Sequence, residues 1–186
     1  IIIIDRNINN ITGKISVNFS PPLTIGDYNT TGGEPTSIAY NLNTNQFYVA
    51  VNSIYVNNTN PNQQVTCGQI RENLRLVCNI LVIDGQSHEI IDVINNNGYD
   101  LQEIVIDEIN NKIFVVNGNF LGASVHDLGN VSIIDGQTNK IIDTILVGDS
   151  PRGITFDTTN NKIYVANELS NNISVINLKT NEVTTL

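Results

Sequence analysis

Apolar residues come in short runs along this chain, and polar turn formers separate them. Leu81-Val82-Ile83, Ile113-Phe114-Val115-Val116, Val131-Ser132-Ile133-Ile134 and Ile163-Tyr164-Val165-Ala166 are rich in β-branched and aromatic side chains. Asn, Asp, Gly and Thr fill the gaps, as in Asn110-Asn111 and Asp135-Gly136. This is strand-and-turn chemistry, because branched side chains fit a pleated sheet while Asn, Asp and Gly tolerate positive φ. Several runs are apolar at consecutive positions, which suits sheets covered on both faces. No segment sustains a 3.6-residue period, so no helix is predicted.

The runs repeat. Lys162 to Asn167 matches Lys112 to Asn117, and Gln46 to Ala50 more loosely. Leu81-Val82-Ile83-Asp84-Gly85-Gln86-Ser87 matches Ser132 to Thr138 and Ser174 to Thr180, and Ile1 to Asp5 is a fourth copy. The unit reads as four strands. The first is Ser37–Tyr40, Glu103–Asp107 and Gly153–Asp157; the fourth is Glu89–Ile94, Lys140–Val147 and Glu182–Leu186. Four antiparallel strands in a unit of about 42 residues is the arithmetic of a β-propeller blade. Asp135 and Asn177 are 42 apart, Asp84 and Asp135 51, and Tyr48 and Phe114 66. The excess falls between strands two and three, on the face where repeat proteins place binding loops. The expected organisation is all-β: a half blade over 1–23 (strands Ile1–Asp5 and Lys14–Val17), a blade over 24–94 with insertion 52–79, a blade over 95–147 with insertion 118–130, and a blade over 148–186. That is about 3.5 blades, whereas closed propellers have roughly 4–8. A partial ring from a seven-bladed propeller is expected, with closure by self-association as the alternative.

Composition narrows the partners. The chain has 186 residues and a net charge of −9, with 9 basic residues spread along it. A nucleic-acid binder needs a basic face, so nucleic acid is excluded as a partner. No apolar run approaches the roughly 20 residues of a membrane span, so no membrane insertion is expected in this segment. Asn is the commonest residue at 31, and Met and Trp are absent.

The best copy of the repeat is Val147-Gly148-Asp149-Ser150-Pro151-Arg152-Gly153-Ile154, then Lys162 to Asn167, Ser170 to Ile176, and Glu182-Val183-Thr184. It resembles the YVTN-family β-propeller repeats of archaeal and bacterial cell-surface and surface-layer proteins. The similarity covers nearly the whole chain. Asp100-Leu101-Gln102-Glu103-Ile104 departs from the Pro motif, and the first full blade departs through its insertion. The resemblance implies a fold and an extracellular or cell-surface setting. It is weak for activity, because one fold hosts scaffolds, binders and enzymes.

Candidate chemistry is sparse. Cys67 and Cys78 lie in the longest insertion. A bridge between them is worth about 2–3 kcal/mol if unstrained, and it implies an oxidising compartment. Two free thiols are the alternative, while a metal site lacks further ligands near by. Sequons occur at Asn10, Asn18, Asn29, Asn57, Asn130 and Asn172. They are candidate glycosylation sites, with Asn57 and Asn130 expected in exposed loops. His88 stands where the next blade has Asn139 and reads as a turn residue. Asp84, Asp107, Asp135 and Asp157 recur once per unit. Ca²⁺ sites could recur so, but carboxylates capping turns account better for strand-end positions. Tyr48, Phe114 and Tyr164 share one repeat position and read as core between blades.

Tyr99, Asp100, His126, Asp127, Arg152 and Glu168 fall on one face and form a candidate binding rim. Arg152 suits an acidic ligand, or an ion pair with Asp149 or Glu168. No P-loop, G-x-S-x-G, H-E-x-x-H or C-x-x-C-H motif is present, and no catalytic, cofactor or metal residue is assigned. The expectation is a non-enzymatic extracellular propeller, a structural or adhesive part of an envelope, surface layer or filament. Its partners are a surface protein or glycan, or further blades or copies of the same protein. The alternative is a lactonase- or quinoprotein-like enzyme with a central-channel site. A third possibility is an intracellular assembly propeller with reduced cysteines.

Overall fold

The computed structural model describes residues 1–5, 10–15, 24–25, 28–60, 62, 64–67, 70–71, 74–75, 78–96, 98, 100–118 and 128–186. All regular elements among them are strands. β1 (Ile2–Asp5) and β2 (Asn10–Lys14) form a two-stranded antiparallel hairpin. The first large sheet, called sheet one, contains β3 (Thr24–Ile25), β4 (Tyr28–Asn41), β5 (Gln46–Asn57), β6 (Gln64–Thr66), β9 (Cys78–Asp84) and β10 (Ile90–Asn96). Its order is β10-β9-β5-β4-β3, with β6 on the outer part of β5. β7 (Ile70–Arg71) and β8 (Leu74–Arg75) pair with each other. Sheet two is the four-stranded meander β11 (Leu101–Asp107), β12 (Lys112–Asn117), β13 (Leu128–Asp135) and β14 (Lys140–Asp149). Sheet three is a second such meander: β15 (Pro151–Asp157), β16 (Lys162–Asn167), β17 (Asn172–Asn177) and β18 (Val183–Thr185).

The registers confirm the four-strand unit. The second and third strands pair residue for residue, with Lys112 opposite Asp135 and Lys162 opposite Asn177. Turns between first and second strands hold Asn45, Asn111 and Asn161 at φ of 54°, 50° and 54°. Turns between third and fourth strands hold His88, Asn139 and Asn181 at 60°, 56° and 57°. Asn is the non-glycine residue best suited to the left-handed region. His88 occupies that position in place of Asn, as the repeat alignment predicts.

Three expectations need correction. The second strand of the N-terminal hairpin is Asn10–Lys14, not Lys14–Val17; positions 16–17 lie outside the described residues. The insertion 52–79 is not a loop throughout. Asn52 to Asn57 prolong β5 and pair with β4 as far as Tyr28, and β6 adds on the other side. Ser53-Ile54-Tyr55-Val56-Asn57 alternates buried and half-buried side chains, so the strand period simply runs on past the sheet. In the other insertion Leu128 to Asn130 already belong to β13, and 119–127 lie outside the described residues.

Three apolar clusters hold the sheets together. Tyr48, Ala50, Ile80, Val82 and Ile94 of sheet one bury against Leu101, Ile104, Ile113, Val115 and Ile134 of sheet two. Phe114, Val116, Val131, Ile133, Ile145 and Val147 of sheet two bury against Ile154, Ile163, Val165 and Ile176 of sheet three. On the other face of sheet one, Val49, Val51, Leu81 and Ile83 receive Ile1 and Ile15. Each such side chain contributes about 1.5–3 kcal/mol when fully buried. The first strands run side by side, with β11 between β4 and β15. Side chains stitch them: Ser37 Oγ accepts from the Ile104 amide at 3.1 Å, and Glu103 Oε2 accepts from the Ile154 amide at 2.9 Å.

Among the described residues, sheet three presents the equivalent of the Phe114 face with no sheet over it. Tyr164 is half-buried, Ala166 exposed, and Ile173 40% exposed, whereas Phe114, Val116 and Val131 are fully buried. Phe114→Ala is therefore expected to cost about 3–5 kcal/mol. Tyr164→Ala is expected to cost markedly less. Urea unfolding of the two variants tests this, and equal losses would mean that both rings are covered alike.

Candidate functional site

The polar rim is assembled where the first strands begin. The links into β11 and β15 turn through Asp100 and Ser150, both in the left-handed region at φ of 53° and 50°. Such a turn brings each link back over the end of the second strand: the Gly118 amide donates to the Asp100 carbonyl at 2.9 Å, and the Glu168 amide to the Ser150 carbonyl at 3.0 Å. Asp100, Arg152 and Glu168 are thereby placed together. Arg152 Nε donates to Glu168 Oε2 at 2.7 Å, and its Nη1 lies 3.6 Å from Asp100 Oδ2. Asn52 of sheet one completes the chain, donating to Asp100 Oδ1 at 3.2 Å and accepting from the Leu101 amide at 2.8 Å. The rim thus runs across all three sheets.

Of the predicted rim residues, Asp100, Arg152 and Glu168 converge. Tyr99, His126 and Asp127 lie outside the described residues, as does the sequon Asn18. Two carboxylates flank the one guanidinium, so the ion-pair alternative for Arg152 is realised with Glu168, and with Asp100 rather than Asp149. This arrangement can offer hydrogen bonds to a neutral polar group. It does not present an unbalanced cation to an acidic one. Asn52 was not among the predicted rim residues; it is the first residue of the insertion 52–79, and only the continued pairing of β5 carries it to Asp100.

Cys67 and Cys78 are joined in a disulfide, with S–S at 2.03 Å. Both are buried within the cluster between sheets one and two. The bridge therefore ties the returning insertion to the core at the point where β9 begins.

Two of the sequons have a structural origin. Asn117 stands opposite Asn130, and Asn167 opposite Asn172, across the second and third strands. Asn167 Nδ2 donates to Asn172 Oδ1 at 2.7 Å and to Ser174 Oγ at 2.9 Å. Asn117 Nδ2 likewise donates to Asn130 Oδ1 and to Ser132 Oγ. One buried amide thus calls for Asn and Ser two residues apart on the facing strand, which writes N-x-S into the chain. Asn57 is buried, not at a loop tip; its Oδ1 accepts from the amides of Thr59 and Asn60. Asn130 is half-buried in β13 rather than in a loop. Asn10 lies in β2 and Asn29 in β4.

The recurring aspartates cap turns. Asp84 Oδ1 accepts from the Gln86 and Ser87 amides, Asp135 Oδ1 from those of Gln137 and Thr138, and Asp157 Oδ1 from those of Thr159 and Asn160. Asp107 does the same for Ile109 and Asn110. In sheet three Asn177 takes the role, accepting from the Lys179 amide. Hydrogen bonds from Ser87 and Gln86 hold the Asp84 carboxyl below its usual 3.8. Those from Thr138 do so for Asp135, and those from Asn160 for Asp157. No group of three or more His, Cys, Asp or Glu placed to hold a metal ion occurs among the described residues. Among the described residues no helix is long and apolar enough to cross a membrane.

No known family profile matches the chain, and no curated protein does. Solved structures do. One is a crystal structure of the eukaryotic initiation factor, at TM-score 0.51 and 11% identity over 82% of this chain and 31% of that one. Another is a functionally unknown protein from Desulfotomaculum acetoxidans DSM 771, at TM-score 0.52 and 14% identity over 89% of this chain and 50% of that one. The chain spans half the length of these neighbours or less. At such identities the likeness is one of fold alone, and the class it defines is an all-β protein of repeated antiparallel four-strand sheets.

The depressed carboxyls fix a sign for pH dependence. A carboxyl held lower in the folded chain than its unfolded 3.8 adds stability above that pH and loses it as pH falls through the folded value. Melting temperature should therefore fall below about pH 4. Asp→Asn at 84, 135 and 157 together, which keeps an acceptor oxygen as Asn177 does, should flatten that fall. Scanning calorimetry from pH 5 downward measures it, and an unchanged acid limb would assign the loss elsewhere.

Proposed function

We propose that the three sheets and the N-terminal hairpin are about 3.5 blades of a β-propeller, an arc of a larger ring. The support is the side-by-side packing of the first strands, each sheet being laid face-on against the next. On this reading β4, β11 and β15 line the central channel, and Asp100, Arg152 and Glu168 stand at its rim.

The protein acts by contact rather than by catalysis. It is a structural or adhesive module of an envelope, surface layer or filament, holding a protein or glycan. The observation that carries this is the β4–β5 ribbon, which runs on beyond the sheet and whose return is fastened by Cys67–Cys78. A disulfide persists in an oxidising compartment, which supports an extracellular or cell-surface location. With the rim charges already paired, recognition falls to neutral hydrogen bonds from the Asn-rich surface.

Binding of the purified protein to a glycan array and to isolated envelope protein tests the proposal. Retention that changes little between ~0.05 and ~0.5 M salt is expected, because neutral hydrogen bonds are not screened as ion pairs are. Steady turnover of a lactone or phosphoester by the same preparation would replace contact with catalysis.

A further inference from the structure

One repeat position is proline in two sheets and leucine in the sheet between them. Pro35 stands opposite Val51, Leu101 opposite Asn117, and Pro151 opposite Asn167, so Pro35, Leu101 and Pro151 are equivalent. Proline fixes φ and has no amide to satisfy. Leu101 leaves φ free, and it brings an N–H that must find a partner because the residue is fully buried. The turn ahead of it is unchanged: Asp100 precedes Leu101 at φ of 53°, and Ser150 precedes Pro151 at 50°.

The sheet before supplies the missing constraint. Asn52 Oδ1 accepts from the Leu101 amide at 2.8 Å, and Asn52 Nδ2 donates to the Leu101 carbonyl at 3.5 Å. Asn52 follows Val51, so at the next interface its equivalent is Gly118, which follows Asn117. Gly118 has no side chain to offer, and Pro151 has no amide to receive one. Acceptor and amide are thus present together between sheets one and two, and absent together between sheets two and three. The same exchange places Asp100. Its Oδ1 accepts from Asn52 at 3.2 Å, its Oδ2 faces Arg152 Nη1 at 3.6 Å, and a Cβ at Gly118 would come within 3.0 Å of that Oδ2. Behind Asn52 stands the fastened ribbon: Cys67 Sγ lies 3.8 Å from Asn52 Oδ1, and the Cys67 amide donates to the Ser53 carbonyl at 2.8 Å.

We propose that Asn52 is the positioning residue of the rim. From the neighbouring sheet it does what proline does within the link, fixing the turn into β11. In the same act it holds Asp100 so that the carboxylate reaches Arg152 of sheet three. The charge of Arg152 is thereby balanced by a group whose place is set from sheet one, and the foot of the ribbon and the rim share one side chain. The inference rests on the hydrogen bonds between sheets and goes beyond the contact role proposed above, so it stands whether or not the protein acts at a cell surface.

The full chain carrying Asn52→Ala, Leu101→Pro or both tests it. Asn52→Ala should lower the melting temperature. Made on top of Leu101→Pro, the same change should lower it by about half as much or less, since no amide is then left to satisfy. Comparing within each background cancels the packing that Leu101 itself loses. Equal losses in the two backgrounds would overturn the proposal. Two further readings need no proline variant. Exchange of the Leu101 amide should quicken about tenfold or more in Asn52→Ala. The NMR signal of the Arg152 Nε–H should move in Asn52→Ala in the direction in which Asp100→Asn moves it, a change that lost strand packing alone would not give. Unchanged exchange at Leu101, or an Arg152 signal that stays still in Asn52→Ala, would also overturn the proposal. None of these readings uses a binding partner, so their failure is distinct from failure of the contact role.

Discussion

The structure depends on the burial of one sheet's face against the next. No sheet here is stable by its own pairing alone, because a lone meander leaves both faces in water. Phe114 and Ile154 lie in different sheets yet in one cluster, and Tyr48 and Ile104 repeat the relation one step earlier. Stability in such an array is close to a sum of units and of interfaces between neighbours. An interface therefore matters as much as a sheet. It also explains why the runs are apolar on successive positions: Val115 faces sheet one while Phe114 and Val116 face sheet three.

Asparagine answers the polar side of the same constraint. Packed sheets bury backbone and side-chain polar groups that must find partners. Asn offers a donor and an acceptor on a short stem, and it tolerates positive φ. It therefore serves at the turns, as Asn111 and Asn161, and inside, as Asn117 and Asn167. Glycine makes the inside role fit. A Cβ at Gly98 would come within 2.2 Å of Asn117, and one at Gly148 within 2.5 Å of Asn167. Where the repeat drifts, the network frays. Asn96 donates to Asn117 Oδ1, but in β14 of sheet two the equivalent position is Val147, whose side chain cannot donate, and Asn167 Oδ1 has no partner among the described residues.

The four-strand unit was legible because its signals are local: a branched run, an Asn or Asp-Gly turn, and their recurrence. The placement of Asp84 and Asp135 at turns, and of Tyr48 and Phe114 between sheets, came from the same recurrence. The insertions were not legible in that way. Nothing in 52–57 departs from strand composition, so a boundary drawn from repeat length cuts β5 where its pairing continues. The rim was legible in part. Arg152 stands out in a chain poor in cations, but its pairing with Asp100 depends on a left-handed turn in a link between sheets. Asn130 and Asn172 read as glycan acceptors because a modification motif and a hydrogen-bonding pattern share the spelling N-x-S.

Where the array accepts insertions follows from its packing. The connection between second and third strands leaves and re-enters through neighbouring strands, so a ribbon can lengthen there without shifting either face. Extra strand such as Asn52 to Asn57 continues an existing register and needs no new core. The weak point is the return, where the chain must rejoin the sheet at Cys78 after a stretch rich in Gln, Asn and Thr. Three contacts meet there: the disulfide to Cys67, the Cys67 amide on the Ser53 carbonyl, and Asn79 Nδ2 on Ser53 Oγ at 2.6 Å. Fastened so, the ribbon can vary in sequence while the stack beneath it stays fixed.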